Sequence, residues 1–128
     1  MPLIQYNSET LTRYIYFSKY IRNSNNTVKY TAFLPSPKDN QTSVFRVSGL
    51  SKIEIWNIAY CDFTPNQNNT IKGRADVNSD DLSSNQLKFF PKEPPYRHAN
   101  ISCWTHEKSK NKLIAKELEK KAILHLVP

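Results

Sequence analysis

Residues 97–104 read RHANISCW and show the clearest strand pattern in the chain. Successive side chains of a strand point to opposite faces, so this segment would have a polar face and an apolar face. The polar face would carry His98, Asn100, Ser102 and Trp104, and the apolar face Ala99, Ile101 and Cys103. We expect the apolar face to pack beneath a helix, which favours an α+β fold.

Two further segments alternate in the same way, at residues 72–77 (KGRADV) and 44–48 (VFRVS). The polar side chains on one face of each segment are those of Lys72, Arg74 and Asp76 in the first and of Arg46 and Ser48 in the second. The alternation predicts that both segments are strands of the same sheet.

Two helices are predicted between and after these strands. Ser51 and Glu54 have the spacing of a capping box, which predicts a helix start with Ile53 and Trp56 on its apolar side. Residues 107–122 predict a second helix, lysine-rich on its outer side, with an apolar side made of Leu113, Ile114 and Leu118.

Further strands are expected in residues 28–34, 87–90 and 123–127, with a short helical segment in residues 78–86. Residues 11–21 predict a strand or a short helix, and their aromatic and β-branched content favours the strand. The predicted fold is a single α+β domain over residues 1–128. It consists of one mixed or antiparallel sheet with two main helices packed on one face.

The chain is basic, with 18 Lys and Arg against 11 Asp and Glu, a net charge of +7 and a pI near 9.5. This sign suits RNA or DNA, an acidic protein partner or an anionic surface. No leader or membrane-spanning stretch is evident, so the expected location is the cytoplasm, without membrane association. The oligomeric state stays open.

Several site chemistries lack their sequence motifs. Two glycines are too few for a glycine-rich phosphate loop, and no metal-ligand spacing or serine-nucleophile motif occurs. Cys61 and Cys103 are expected to be buried free thiols rather than a disulfide or a metal pair. We therefore expect no metal and no cofactor.

The polar strand faces supply a candidate catalytic set, namely His98, Arg46, Arg74, Asp76 and Asn100. If these strands are neighbours, His98 could move a proton while an arginine holds a phosphoryl oxygen and an aspartate orients the imidazole. Metal-independent RNA cleavage needs these roles. The alternatives are plain phosphate recognition, a same-face ion pair between Arg74 and Asp76, and an ordinary solvated sheet face.

A second set predicts contacts with nucleic acid, namely Arg97, Lys72, Lys108, Lys110, Lys112 and Trp104. Residues 13–33 also interleave aromatic and basic side chains, a pattern that can stack on bases and neutralise phosphates. The alternatives are a solvated helix face for the lysines and core positions for the aromatics.

Several stretches of residues 11–127 resemble a pattern found in small bacterial proteins to which no activity is attached. These stretches are SVFR (43–46), GLS (49–51) with EIW (54–56), GRAD (73–76), and RHANI (97–101) ending at Trp104. The resemblance implies a bacterial cytoplasmic protein of one domain. It also suggests an accessory role beside a larger partner in a mobile or defence-related system, and it transfers no site residue.

Three functions are compatible with these patterns. The preferred one is a nucleic-acid-associated accessory or interaction module of a larger bacterial system, because binding needs only charge and surface. The alternatives are a small metal-independent ribonuclease or toxin-like enzyme using His98 with Arg46 or Arg74, and a subunit that docks an acidic protein partner.

Overall fold

The computed structural model describes residues 8–62 and 71–128, and the statements below concern that part of the chain. Its main element is a six-stranded sheet of order β6-β7-β4-β1-β5-β8. A separate two-stranded ladder pairs β2 with β3. The strands are β1 Thr10–Ile15, β2 Ile21–Arg22, β3 Thr27–Val28, β4 Thr42–Arg46, β5 Gly73–Asn78, β6 Lys88–Pro91, β7 His98–Ser102 and β8 Ile123–Leu126.

Three α-helices accompany the sheet in the described ranges: α1 Lys52–Asp62, α2 Ser79–Ser83 and α3 Lys108–Lys121. The capping box predicted for α1 is confirmed. The Glu54 backbone N–H donates to Ser51 Oγ at 3.2 Å, and the Ser51 N–H donates to Glu54 Oε1 at 3.1 Å. These two bonds satisfy N–H groups that the first helical turn would otherwise leave without partners.

Every strand pairing in the main sheet is antiparallel, so the predicted α+β class with an antiparallel sheet is confirmed. The register places His98 of β7 beside Phe45 of β4, and Phe45 beside Thr12 of β1. Residues directly opposite each other in a sheet share a face. These three residues therefore mark one face, which we call the α1 face because α1 covers part of it.

Apolar side chains cover both sides of the sheet, in two separate clusters. On the α1 face, the buried residues are Tyr14, Phe45, Val47, Ile55, Ile58, Ala59 and Ile71. On the other side, which we call the α3 face, Ala115 and Leu118 of α3 belong to the same buried cluster as Leu11, Val44 and Ala99. The expectation that both main helices pack on one face is therefore wrong. The central strands present apolar side chains on both faces, so each face needs its own helix.

Two local predictions also need correction. The expected strand over residues 28–34 ends at Val28, and a 3₁₀ helix, Tyr30–Phe33, follows. This tight turn buries Ala32 and Phe33 together, which an extended strand would have pointed to opposite faces. The expected strand over residues 11–21 gives way after Ile15 to a 3₁₀ helix, Ser18–Tyr20.

The apolar side of α1 differs from the one predicted. Ile53 is 74% exposed, whereas Ile55, Ile58 and Ala59 are buried. These three stand at positions i, i+3 and i+4, which lie on the same side of a helix. In α3, Leu113 is 65% exposed. Both cysteines are exposed rather than buried. No helix in the described ranges has the length and apolar character needed to cross a membrane.

Candidate functional site

A cleft opens where β1 and β4 separate. Their pairing consists of Leu11 with Arg46 and Thr12 with Phe45, and it does not continue toward the start of β4. The Arg13 guanidinium occupies this gap. It donates from Nη1 to the Ser43 carbonyl at 2.8 Å and from Nε to the Ala32 carbonyl at 3.1 Å. Arg13 thus replaces ladder hydrogen bonds that the separating strands no longer make.

The cleft has a volume of about 850 Å³, and its charged lining is mainly basic. Arg13, Lys19 and Lys29 line it together with one acid, Asp39. No carboxylate of the described residues forms an ion pair with Arg13. Burial lowers the pKa of the Arg13 guanidinium, which marks a cation held partly out of water without a counter-charge. Such a group attracts an anion.

Ser43, which lines the cleft, forms a hydrogen-bonded pair with His98 of the neighbouring strand. Ser43 Oγ lies 2.6 Å from His98 Nε2, and His98 Nδ1 lies 2.9 Å from the Lys92 carbonyl oxygen. A carbonyl can only accept, so Nδ1 carries the ring hydrogen of the neutral imidazole and donates it to Lys92. Nε2 is then the acceptor, and the Ser43 hydroxyl donates to it.

The pair is held from several sides. The Lys92 carbonyl is in place because the turn between β6 and β7 curls back, with the Lys92 N–H donating to the His98 carbonyl at 2.8 Å. The Phe45 ring stands edge-on to the imidazole, with ring centroids 5.2 Å apart. Arg13 fixes the Ser43 carbonyl. The rotamers of both side chains are therefore constrained before any ligand binds.

Asn100 lies directly across from Ser43 in the β4–β7 register and also lines the cleft. It is 8% exposed. Its side-chain amide makes no hydrogen bond within the described part of the chain, and its atoms are not among the fully buried polar atoms that lack a partner, so the amide keeps contact with solvent in the cleft. Cross-strand neighbours have their Cβ atoms about 5 Å apart, which brings the amide within reach of a group bound at Ser43.

The predicted catalytic set is only partly brought together. His98 and Asn100 share the α1 face of β7, as the alternation predicted, and they have Ser43 as their neighbour. Arg74 and Asp76 lie on the same face of β5, but β4 and β1 separate β5 from β7. Three strand spacings amount to about 14 Å, too far for a shared proton transfer.

Arg74 and Asp76 instead form a structural ion pair beneath α1. Arg74 Nη1 lies 3.0 Å from each carboxylate oxygen of Asp76, and the guanidinium stacks on the Trp56 ring at 5.3 Å. Asp76 also contacts His125 Nε2 at 3.3 Å, so the histidine it orients is not His98. Of the alternatives considered from the sequence, the ion pair is the one that the structure shows.

Arg46 and Trp104 also lie apart from this group. Arg46 is paired with Leu11, which places it on the α3 face, and its guanidinium forms an ion pair with Glu93. Trp104 does not share the face of His98. Strand β7 ends at Ser102, and Cys103 has a φ of 73°, which redirects the chain so that Trp104 is buried in the α3-face cluster. Its indole is not accessible for base stacking.

Of the residues predicted to contact nucleic acid, some line a pocket and others do not. Lys108 and Lys112 line a second pocket of about 590 Å³, next to Tyr30. Lys110 pairs with Glu107 at 2.8 Å. Lys72 and Arg97 line neither pocket. The second pocket and the cleft share residues 34–37, so the two adjoin across this proline-containing loop.

Ser43 and Arg13 are the site residues that sequence reasoning missed. Ser43 is two residues before Phe45, so alternation alone assigns it to the face of Phe45. The missing information was that β4 lies beside β7, which pairs Ser43 with Asn100. Arg13 gave no separate signal because it lies within an aromatic and basic segment of ordinary strand character.

Comparisons of the chain with protein-family models, curated proteins and solved structures find no match. In the described ranges, no group of three or more His, Cys, Asp or Glu side chains has an arrangement that could hold a metal ion. The two pockets and the Ser43–His98 pair are therefore the features of the described residues that bear on function.

Proposed function

We propose that this protein is a nucleic-acid-associated module that binds a single strand of RNA or DNA across the cleft and the second pocket. One observation supports the proposal above all others. Two adjoining pockets, which share residues 34–37, are lined on both sides of that loop by lysines and tyrosines. A strand of several nucleotides needs a continuous basic path with flat rings along it.

The cleft supplies the first part of that path. Lys19 Nζ lies 5.3 Å from the centroid of the Tyr20 ring, and both residues line the cleft with Arg13 and Lys29. An aromatic ring beside cations can stack on a base while the cations neutralise the flanking phosphates. Asp39 partly offsets this charge at the rim.

The second pocket supplies the continuation. Lys112 and Lys116 lie over the Tyr30 ring at 5.7 Å and 5.4 Å, and Lys108 and His106 line the same pocket. Lys108 and Lys112, for which the sequence predicted contact with nucleic acid, both border this concave surface. The net charge of +7 adds long-range attraction for a polyanion.

The test is a binding titration of labelled single-stranded RNA and DNA at several salt concentrations. The variant Lys19→Ala/Lys29→Ala removes two cations of the cleft, and Lys72→Ala/Lys88→Ala removes two exposed cations outside both pockets. We expect the first to weaken binding several-fold and to lower the slope of log K against log salt by about 1 for each phosphate that is no longer neutralised. The second should change affinity little.

A separate double variant, Lys108→Ala/Lys112→Ala, tests the second pocket. It should weaken binding of a longer strand more than that of a dinucleotide. Absence of binding at low salt, or equal losses of affinity in the control pair and the cleft pair, would overturn the proposal. In that case an acidic protein partner becomes the better explanation of the basic surface.

The proposed module acts in the cytoplasm and as an accessory to a larger bacterial assembly, which the resemblance described above suggests. Its oligomeric state is left out of the proposal. A ribonuclease that combines His98 with Arg46 or Arg74 is not part of it either, because those arginines are committed to Glu93 and Asp76.

A further inference from the structure

The Ser43–His98 pair has the geometry of an activated nucleophile, a feature that nucleic-acid binding does not need. A nucleophile and its base lie within about 2.6–3.2 Å in such pairs, and a third group orients the base. Ser43 Oγ and His98 Nε2 are 2.6 Å apart, and the Lys92 carbonyl, 2.9 Å from Nδ1, is the third group. Because of that bond, the neutral ring presents an unprotonated nitrogen to the hydroxyl.

A group that stabilises negative charge is also present. Asn100 lies across from Ser43, and its side-chain amide makes no hydrogen bond within the described part of the chain, so its N–H groups are free to donate into the cleft. An amide N–H placed beside a nucleophile can donate to the oxygen that becomes negative when a carbonyl carbon is attacked. Asn100 and Ser43 both line the cleft, so a bound substrate can reach them.

We infer that Ser43 is the nucleophile of a hydrolytic site for carboxylic esters that carry a negative charge elsewhere in the molecule. His98 is its general base, and Asn100 is its oxyanion donor. The anionic part of the ester would lie toward Arg13, Lys19 and Lys29 in the cleft. This inference stands on the side-chain geometry and does not depend on binding of nucleic acid.

The reaction proceeds in two steps. Ser43 Oγ forms a bond to the ester carbonyl carbon while its proton passes to His98 Nε2, and the carbonyl oxygen becomes an oxyanion beside Asn100. The bond between the carbonyl carbon and the alkoxy oxygen then breaks, and the leaving alkoxide takes the proton from Nε2. A water molecule then attacks the acyl carbon while giving a proton to Nε2. The bond between the acyl carbon and Ser43 Oγ breaks, and Oγ takes the proton from Nε2, which releases the carboxylic acid and restores the Ser43 hydroxyl and the neutral imidazole.

A fluorophosphonate probe tests the nucleophile directly, because it forms a stable bond to an activated serine oxygen. Wild-type protein would be incubated with the probe and examined by intact-mass spectrometry and peptide mapping. We expect a single adduct on Ser43. The adduct should be absent in Ser43→Ala and should form about 100-fold more slowly in His98→Gln, since removing a general base costs about 10²–10⁴ in rate.

A matched control is Ser102→Ala, which removes a serine from the same face of β7 without touching the pair. It should label at the wild-type rate. Thermal melts of all variants check that they are folded. Labelling at another serine, no labelling of the folded wild-type protein, or equal rates for His98→Gln and wild type would each overturn the assignment of Ser43.

Steady-state hydrolysis tests the substrate class and the oxyanion donor. The two substrates are p-nitrophenyl acetate and the mono-p-nitrophenyl ester of succinic acid, which adds a carboxylate. We expect a higher kcat/KM for the anionic ester, and loss of that preference in Lys19→Ala/Lys29→Ala. Asn100→Leu should lower kcat for both esters by about 100-fold. Equal kcat/KM for the two esters would overturn the assignment of an anionic substrate.

Discussion

Glu119 joins helix α3 to the segment before β4, and its removal should destabilise the fold measurably. Its Oε1 accepts from the Tyr30 N–H at 2.7 Å and lies 3.0 Å from Arg22 Nη1. Its side chain is 18% exposed. Loss of a charge-assisted bond to a backbone N–H costs about 1.5–3 kcal/mol, and a half-exposed ion pair adds about 0.5 kcal/mol. We therefore expect Glu119→Ala to cost about 2–3.5 kcal/mol.

The control is Glu117→Ala on the same helix. Glu117 is 51% exposed and pairs with Lys120, which is 71% exposed. Pairs of this kind contribute about 0.5 kcal/mol or less. Urea unfolding followed by circular dichroism measures both variants against wild type. Equal losses of stability for the two variants would refute the argument that Glu119 holds the Tyr30 segment in place.

The same carboxylate predicts a pH dependence. Burial alone would raise the pKa of Glu119, but hydrogen bonds from Arg22 and the Tyr30 N–H, with the charges of Arg22 and Lys116, outweigh it and lower the pKa. A lowered folded-state pKa gives stability that is present above the unfolded value, about 4.3, and lost as pH falls through the folded value. The stability difference between wild type and Glu119→Gln should thus stay constant from neutral pH to about 5 and shrink below about 4. A constant difference at every pH would contradict this.

The remaining predictions concern the sheet. Gly73→Ala should cost about 2–3 kcal/mol and loosen β8, because a Cβ there would lie 2.6 Å from the His125 carbonyl oxygen. The control is Gly49→Ala, which should cost about 1 kcal/mol because φ is 80° there, although an added Cβ would have no atom within 4 Å. Equal urea midpoints for the two variants would contradict the steric clash at Gly73. Asp76→Asn should cost about 3 kcal/mol of stability, because it leaves the buried Arg74 without its carboxylate partner. Fluorophosphonate labelling of this variant should keep the wild-type rate. A large loss of labelling in the folded variant would mean that Asp76 takes part in the Ser43–His98 site.

The sequence was sufficient to predict the class of fold and the faces of single strands. Alternation correctly separated His98 and Asn100 from Ala99 and Ile101, because a period of two needs no knowledge of neighbours. It failed at Trp104, because a left-handed residue, Cys103, breaks the period and nothing in the composition marks it. Alternation therefore predicts the face of a residue only as far as the backbone stays extended.

The prediction that Arg74 and Asp76 converge with His98 was wrong because it depended on the order of strands in the sheet. Arg74 and Asp76 have the orientation that alternation predicted, but the sheet order places two strands between them and His98. Alternation determines which face of the sheet a side chain lies on. The distance between two side chains on different strands depends instead on which strands pair. In this sheet the order of the strands differs from their order in the chain, and β1, the first strand, lies between β4 and β5.

The Ser43–His98 pair depends on a strand pairing that alternation does not reveal. Alternation places Ser43 with Phe45, on the apolar face of its segment, and Asn100 with His98, on the polar face of another, and only the pairing of β4 with β7 brings these faces together. Once that pairing exists, the buried apolar partners Val44 and Ala99 fix the register, because a slip of one residue would turn both into the polar face. The same packing that stabilises the α3-face cluster therefore holds the hydroxyl against the imidazole. A mutation that shortens the Val44 side chain should disturb the Ser43–His98 pair indirectly, by loosening this packing. A mutation on the outer side of α3 should leave the pair unchanged.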